Sequence, residues 1–201
     1  MNNKPERDFV DDILGEGLTS LPLPSEYQYY KHLKNNCIVI NDAIDEGIIE
    51  SACIPLLEMD QDPNVKEITI YLTSCGGSTF YGFALCDIID RLTTHTTIIV
   101  IGVCASMGCL IAMSGHNNPN VHVKAYRSAV GLIHSGSQYL EGNAHSVKDT
   151  FEFNARYEEY IKKYILSHTT IDADLYDKIE RYEYWMTAED MLKHEIINEI
   201  I

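Results

Sequence analysis

Three short stretches of the chain carry residues that could do chemistry together. They are the Gly76-Gly77 pair in Ser74-Cys75-Gly76-Gly77-Ser78, the lone hydroxyl Ser106 in GVCASMG, and His134 at the end of AVGLIH. Acyl transfer needs a hydroxyl nucleophile, an imidazole to take its proton, and backbone N–H groups aimed at the developing oxyanion. Ser106 and His134 are candidates for the first two roles. Gly77 offers an N–H with no side chain in the way, and a helix opening at Ser106 would add unpaired N–H groups and a positive dipole end. The small neighbours Ala105 and Gly108 would let a substrate backbone approach. Taken alone, each feature has a plainer explanation. A serine at a strand-to-helix junction is most often a helix cap, a Gly-Gly pair is most often a turn, and a lone histidine is most often structural.

The elements that must position these residues are legible around them. Cys37–Ile40 reads as a short strand. Asp42 offers a cap for a helix with Ile44, Ile48, Ala52 and Leu56 on one face, kinked or stopped at Pro55. Residues 68–72 read as a strand running into the Gly-Gly loop, and a helix with Leu85, Ile88, Ile89 and Leu92 inward follows. Residues 96–101 form a second buried strand before GVCASMG. Residues 130–133 form a third, ending at His134. A long helix spans about 146–168, with Ser146 and Asp149 as a capping pair and Val147, Phe151, Ala155 and Ile161 on its apolar side. Its tyrosines, Tyr157, Tyr160 and Tyr164, pack either within the subunit or at an interface. Alternation of strand and helix implies parallel pairing with crossover helices, an α/β fold. In such sheets ligands bind at the carboxyl ends of the strands, and all three candidate stretches fall there. The acid of a triad would come from Asp172, Asp174, Asp177, Glu180 or Glu183, and spacing does not choose among them.

Bulk properties bound the reading. The 201 residues suffice for one domain with a real core, or at most two small ones. The net charge of −15 argues against nucleic acid or an anionic membrane surface as partner. No apolar run is long enough to span a bilayer, and the polar, acidic start lacks the pattern of a secretory signal. Six cysteines, mostly in apolar segments and without a CxxC pair, read as reduced and buried, which suits the cytoplasm. No Cys/His cluster suggests a metal, no cofactor is expected, and no P-loop is present. Residues 1–25, ending in Leu21-Pro22-Leu23-Pro24, read as an arm or removable leader, with the domain at 26–201.

With these motifs in place, the chain from about Tyr29 to Ile201 resembles the ClpP family, the proteolytic subunit of the ATP-dependent Clp protease. ITIYLTSCGGSTFYGFALCDII is similar to the family's strand, Gly-Gly loop and helix. GVCASMG resembles its nucleophile motif, LIH its histidine motif, and WMTAEDMLKHEIINEII its C-terminal signature. The resemblance implies a crotonase-like superhelix of repeated β-β-α units with a protruding handle helix. It implies Ser106 as nucleophile, His134 as base, the N–H groups of Gly77 and Met107 as oxyanion hole, and Glu183 in the place of the family's aspartate. It also implies docking of an AAA+ unfoldase near Tyr71, unfolded polypeptide substrates, and two stacked seven-membered rings.

The chain departs from the family pattern at several points. Cys75 stands for the proline of the oxyanion loop, Ser135-Gly136 for Gln-Pro after the histidine, and Tyr182 for an arginine before the catalytic acid. These departures keep open a catalytically weak or silent ring subunit. The shared fold keeps open an acyl-CoA enzyme.

Overall fold

The computed structural model describes residues 24–201, apart from 138 and 139. The arm or leader expected over residues 1–25 therefore lies almost wholly outside the described residues. Two compact units divide at Asn35 and Asn36. Of the first, helix α1 (Pro24–Lys34) is described. It ends on a basic turn of Lys31, His32 and Lys34, and the Asn35 amide donates to the Lys31 carbonyl at 2.7 Å.

The second unit is built on one sheet. Its path runs β1 (Cys37–Ile40), β2 (Glu67–Ser74), β3 (His95–Ala105), β4 (Val121–Ala125) and β7 (Glu199–Ile200), all neighbours parallel. Two further strands branch from β3. β5 (Val130–Ile133) pairs parallel with its end, and β6 (Tyr184–Thr187) lies antiparallel on β5. The core is aliphatic, with Ile68, Ile70, Leu72, Leu85, Ile98 and Ile111 almost fully buried.

β3 is the element on which the site depends. Up to Val100 it pairs with β4, and from Val103 with β5. The handover falls at Gly102, whose φ of +73° bends the chain between the two partners. The strand expected over 96–101 thus runs on to Ala105 and delivers Ser106 directly to helix α4 (Met107–Met113), every residue of which is buried. Gly108 serves this packing, because a Cβ there would lie 2.8 Å from the Ser74 carbonyl oxygen. Ala105 is buried as well. Neither residue opens room for a substrate, which corrects that expectation.

The helix expected from Asp42 begins later. The Asp42 carboxylate accepts from the adjacent Ala43 N–H, and Ile44 forms an isolated bridge to Gly77. A π-helical stretch (Ile49–Cys53) then passes into helix α2 (Ile54–Gln61). Pro55 sits in the first turn of α2, where its missing N–H costs least, so the expected kink takes the form of a change in helix type. Helix α3 (Thr79–Ile89) buries Leu85 and Ile89, with Ile88 only half-buried and Leu92 buried beyond its end.

Helix α5 (Ala144–His168) is capped by Asn143, whose side-chain oxygen accepts from the N–H groups of His145 and Ser146, in place of the expected Ser146–Asp149 pair. Its buried residues are Tyr164, Ile165 and His168, while Phe151 is 62% exposed. The tyrosines pack within the subunit. Phe83 meets the rings of Tyr157, Tyr160 and Tyr164 edge-on at 5.0–6.1 Å, and Phe80 stacks on Tyr157 at 5.1 Å. Helix α6 (Ala173–Ile179), capped by Asp172, and helix α7 (Ala188–Lys193), with a Thr187–Asp190 capping box, complete the unit. No helix among the described residues is long and apolar enough to cross a membrane. Of the six cysteines five are buried and all are unpaired, with Cys75 exposed.

Candidate active site

Ser106 occupies the cap position of α4, yet its hydroxyl makes no capping bond. Its backbone is held in an unusual conformation, φ 53° and ψ −122°. Three bonds hold it there. The Ser106 N–H donates to the Leu132 carbonyl of β5 at 2.9 Å, and the Ser106 carbonyl accepts from Cys109 and Leu110 N–H at 2.9 and 3.2 Å. A sharp, strained strand-to-helix turn of this kind presents a hydroxyl outward from the edge of a sheet. The cap that sequence alone makes most ordinary is therefore absent, and the oxygen is left for other work.

The Gly-Gly loop is fastened beside it. The Ser74 hydroxyl donates to the Asp42 carbonyl at 2.7 Å and accepts from the Gly76 N–H at 3.1 Å. Ile44 N–H donates to the Gly76 carbonyl at 2.9 Å, and Ser78 N–H to the Ile44 carbonyl at 2.7 Å. These bonds use the groups on either side of Gly77, so the N–H of Gly77 itself lies on the opposite side of the loop from Ile44. Gly76 (φ +96°) and Gly77 (φ +150°) both lie in the region that favours glycine. A Cβ on Gly76 would sit 2.7 Å from the Ala105 carbonyl oxygen and the Ser106 Cβ, and 2.9 Å from the Met107 nitrogen. The loop, the serine and the first N–H of α4 are thus in direct contact.

His134 follows β5, half-buried, and borders with Ser106 a cavity of about 180 Å³. Apolar residues from α4, β5 and α5 wall the cavity, and Tyr176, Glu158 and Glu180 also reach it. Met107 contributes to the lining too.

The candidate acids separate clearly. Asp172 caps α6, accepting from Leu175 N–H at 2.8 Å, and Asp177 pairs with Lys162 at 2.6 Å. Glu180 borders the cavity. Glu183 precedes β6, in which Tyr184 lies opposite Ile133. Extended by one residue, that antiparallel register sets Glu183 opposite His134. Its carboxylate accepts a bond from the Trp185 indole N–H at 3.0 Å. Tyr71, on β2 between Val39 and Ile99, is half-buried and remote in sequence from these groups. Sequence reasoning missed Trp185 as a partner of Glu183. Their i, i+2 spacing, which puts two strand residues on one face, was the available signal. Among the described residues no group of His, Cys, Asp and Glu side chains is arranged to hold a metal ion.

The family model for Clp protease matches residues 24–201. The chain is 27% identical over 178 residues to an ATP-dependent Clp protease proteolytic subunit of Streptococcus sanguinis, covering 86% of this chain and 88% of that protein. It is 28% identical over 178 residues to the proteolytic subunit of Streptococcus mutans, with the same coverage. It is 25% identical over 173 residues to proteolytic subunit 1 of Bacillus cereus, again with 86% and 88% covered. All three are named as proteolytic subunits, which does not favour a silent ring subunit or an acyl-CoA enzyme. The chain belongs to the Clp protease family, as a serine peptidase subunit.

Proposed function

We propose that Ser106 attacks the peptide carbonyl carbon while His134 takes the hydroxyl proton, with Glu183 orienting the imidazole. The oxyanion that forms accepts bonds from the N–H groups of Gly77 and Met107. Collapse of this intermediate breaks the C–N bond, and the imidazolium returns its proton to the departing amine. Water then repeats the sequence against the acyl-serine, releasing the second product and restoring the hydroxyl.

One observation carries the reading. The Ser106 hydroxyl, at a strained junction and unused as a cap, shares a cavity with His134. The contact of Gly76 with the Met107 nitrogen supports the oxyanion pair. The β5–β6 register supports Glu183, because directly opposed residues of an antiparallel pair project on one face with Cβ atoms roughly 5 Å apart. A glutamate carboxylate held at one oxygen by Trp185 keeps its other oxygen for a histidine N–H.

In this reading the chain is the peptidase of a cytoplasmic, ring-forming assembly of crotonase-like subunits. An AAA+ unfoldase, docked near Tyr71, feeds it unfolded polypeptide. The names of the relatives, as parts of an ATP-dependent protease, support the ATPase partner.

A fluorophosphonate probe is expected to label wild-type protein at Ser106 and to stop cleavage of a fluorogenic peptide. The Ser106→Ala variant should take no label and lose all but about one part in 10³–10⁶ of kcat. Full activity in that variant would overturn the assignment.

A further inference from the structure

We infer that Trp185 is the positioning residue of the acid: its indole N–H holds the long side chain of Glu183 at the reach that His134 requires. The inference rests on the reading of Glu183 as the acid of the triad. It goes beyond that reading by giving a function to a residue outside the triad.

The three triad candidates lie across three adjoining strand ends. β5 runs parallel to the end of β3, with Leu132 opposite Ala105, and antiparallel to β6, with Trp185 opposite Leu132 and Tyr184 opposite Ile133. Ser106 follows β3, His134 follows β5, and Glu183 precedes β6. Trp185 lies two residues beyond Glu183 and so on the same face of the strand. Leu132, the residue opposite Trp185, also accepts the Ser106 N–H at 2.9 Å. The position that carries the indole is thus one cross-strand step from the grip on the nucleophile.

A glutamate has one methylene more than an aspartate, and the added rotatable bond spreads its carboxylate over more positions. The bond from Trp185 Nε1 to Glu183 Oε2, 3.0 Å long, selects among them. It turns the carboxylate along its own strand, which takes up the added length. Oε2 is engaged by the indole, and Oε1 is the oxygen offered to the imidazole.

β6 gives the indole a fixed base. Met186 is buried, Thr187 caps α7, and the Tyr184 hydroxyl lies 3.0 Å from His194 Nε2. Trp185 itself is about half exposed, so its ring does not fill the core, and replacing it is expected to cost little stability.

Trp185→Phe keeps an aromatic ring and removes the N–H. Its kcat on a fluorogenic peptide is expected to fall about threefold to tenfold with KM little changed, the size of one hydrogen bond's net contribution. A second background separates positioning from packing. Glu183→Asp removes the methylene that the bond takes up, so adding Trp185→Phe to Glu183→Asp should leave kcat where Glu183→Asp alone puts it. Where Trp185→Phe fails to fold, benzothienylalanine in place of the single tryptophan keeps the ring shape without the N–H and should give the same loss. An unchanged kcat would overturn the inference. A raised one would overturn it by showing that the indole holds the carboxylate away from the histidine. Equal losses in the two backgrounds would also overturn it, because the ring would then act through packing. If Glu183→Gln still lowers kcat in any of these cases, the triad stands without Trp185. If Glu183→Gln is without effect as well, both readings fall.

Discussion

Ser106 pays in strain for its position. A non-glycine residue at φ 53° and ψ −122° costs on the order of 1–3 kcal/mol, and it persists because Leu132, Cys109 and Leu110 hold it from both sides. The gain is a hydroxyl pushed out of the helix's own hydrogen bonding. At the same scale, Glu183 stands where the family resemblance implies an aspartate. If its carboxylate orients His134, Glu183→Gln removes the charge that stabilises the imidazolium and lowers kcat by about 10²–10⁴, with KM little changed. Steady-state kinetics on one fluorogenic peptide would decide this, and an unchanged kcat would exclude Glu183. The serine, the histidine and the glycine pair were legible as residue types. Their plain alternatives were equally legible, and for the serine the missing cap bond favours the functional one.

Among the elements, strands flanked by clear turns were readable, and those made by distant pairing were not. β4 (Val121–Ala125) alternates buried and half-buried residues, but His122 and Lys124 break its apolar character, and it hides behind a polar loop. β6 depends on β5, some fifty residues earlier in the chain, with the long helix α5 between them. No local pattern could set Glu183 opposite His134. The late start of the helix after β1 has the same origin, since Ile44 is drawn into a bridge with Gly77 instead of a helical turn. The Gly-Gly loop yields a sharp element-scale test. Gly76→Ala would force a Cβ to 2.7 Å from the Ala105 carbonyl oxygen and the Ser106 Cβ, atoms that cannot swing aside. The variant is expected to fold with a Tm several degrees lower, as about 1–3 kcal/mol of strain would give. Its kcat should fall at least about tenfold, because the N–H donors move off the oxyanion. A Tm and a kcat like those of wild type would refute the contact.

Across the whole molecule, the far end of α5 is tied down by a part-buried pairing of His168 with Asp90. His168 is 3.4 Å from the Asp90 carboxylate through Nε2, and its Nδ1 lies 2.9 Å from the Tyr164 carbonyl. Both ring nitrogens face acceptors, which is the requirement of an imidazolium. Burial works against that charge, but the bonds to Asp90 and Tyr164 outweigh it and raise the histidine above its ordinary value. A raised histidine contributes stability that is complete below the unfolded value of about 6.5 and is lost as pH climbs through the folded one. Tm is therefore expected to fall as pH rises above about 6.5. Asp90→Asn should flatten that slope mainly by lowering Tm at the acid end. Thermal melts of both proteins across the range check this, and a slope that survives in the variant would assign it to another group.

Trp185 is the chain's single tryptophan, about half exposed, with its indole N–H bonded to the Glu183 carboxylate. The protein therefore carries its own optical reporter beside Glu183. Its emission wavelength and quenching follow the hydration and hydrogen bonding of one indole, and no other ring in the molecule is excited at the red edge of the absorption band. Whatever moves Glu183, whether a bound peptide, an acylated serine or a docked neighbour, is readable in solution without a label.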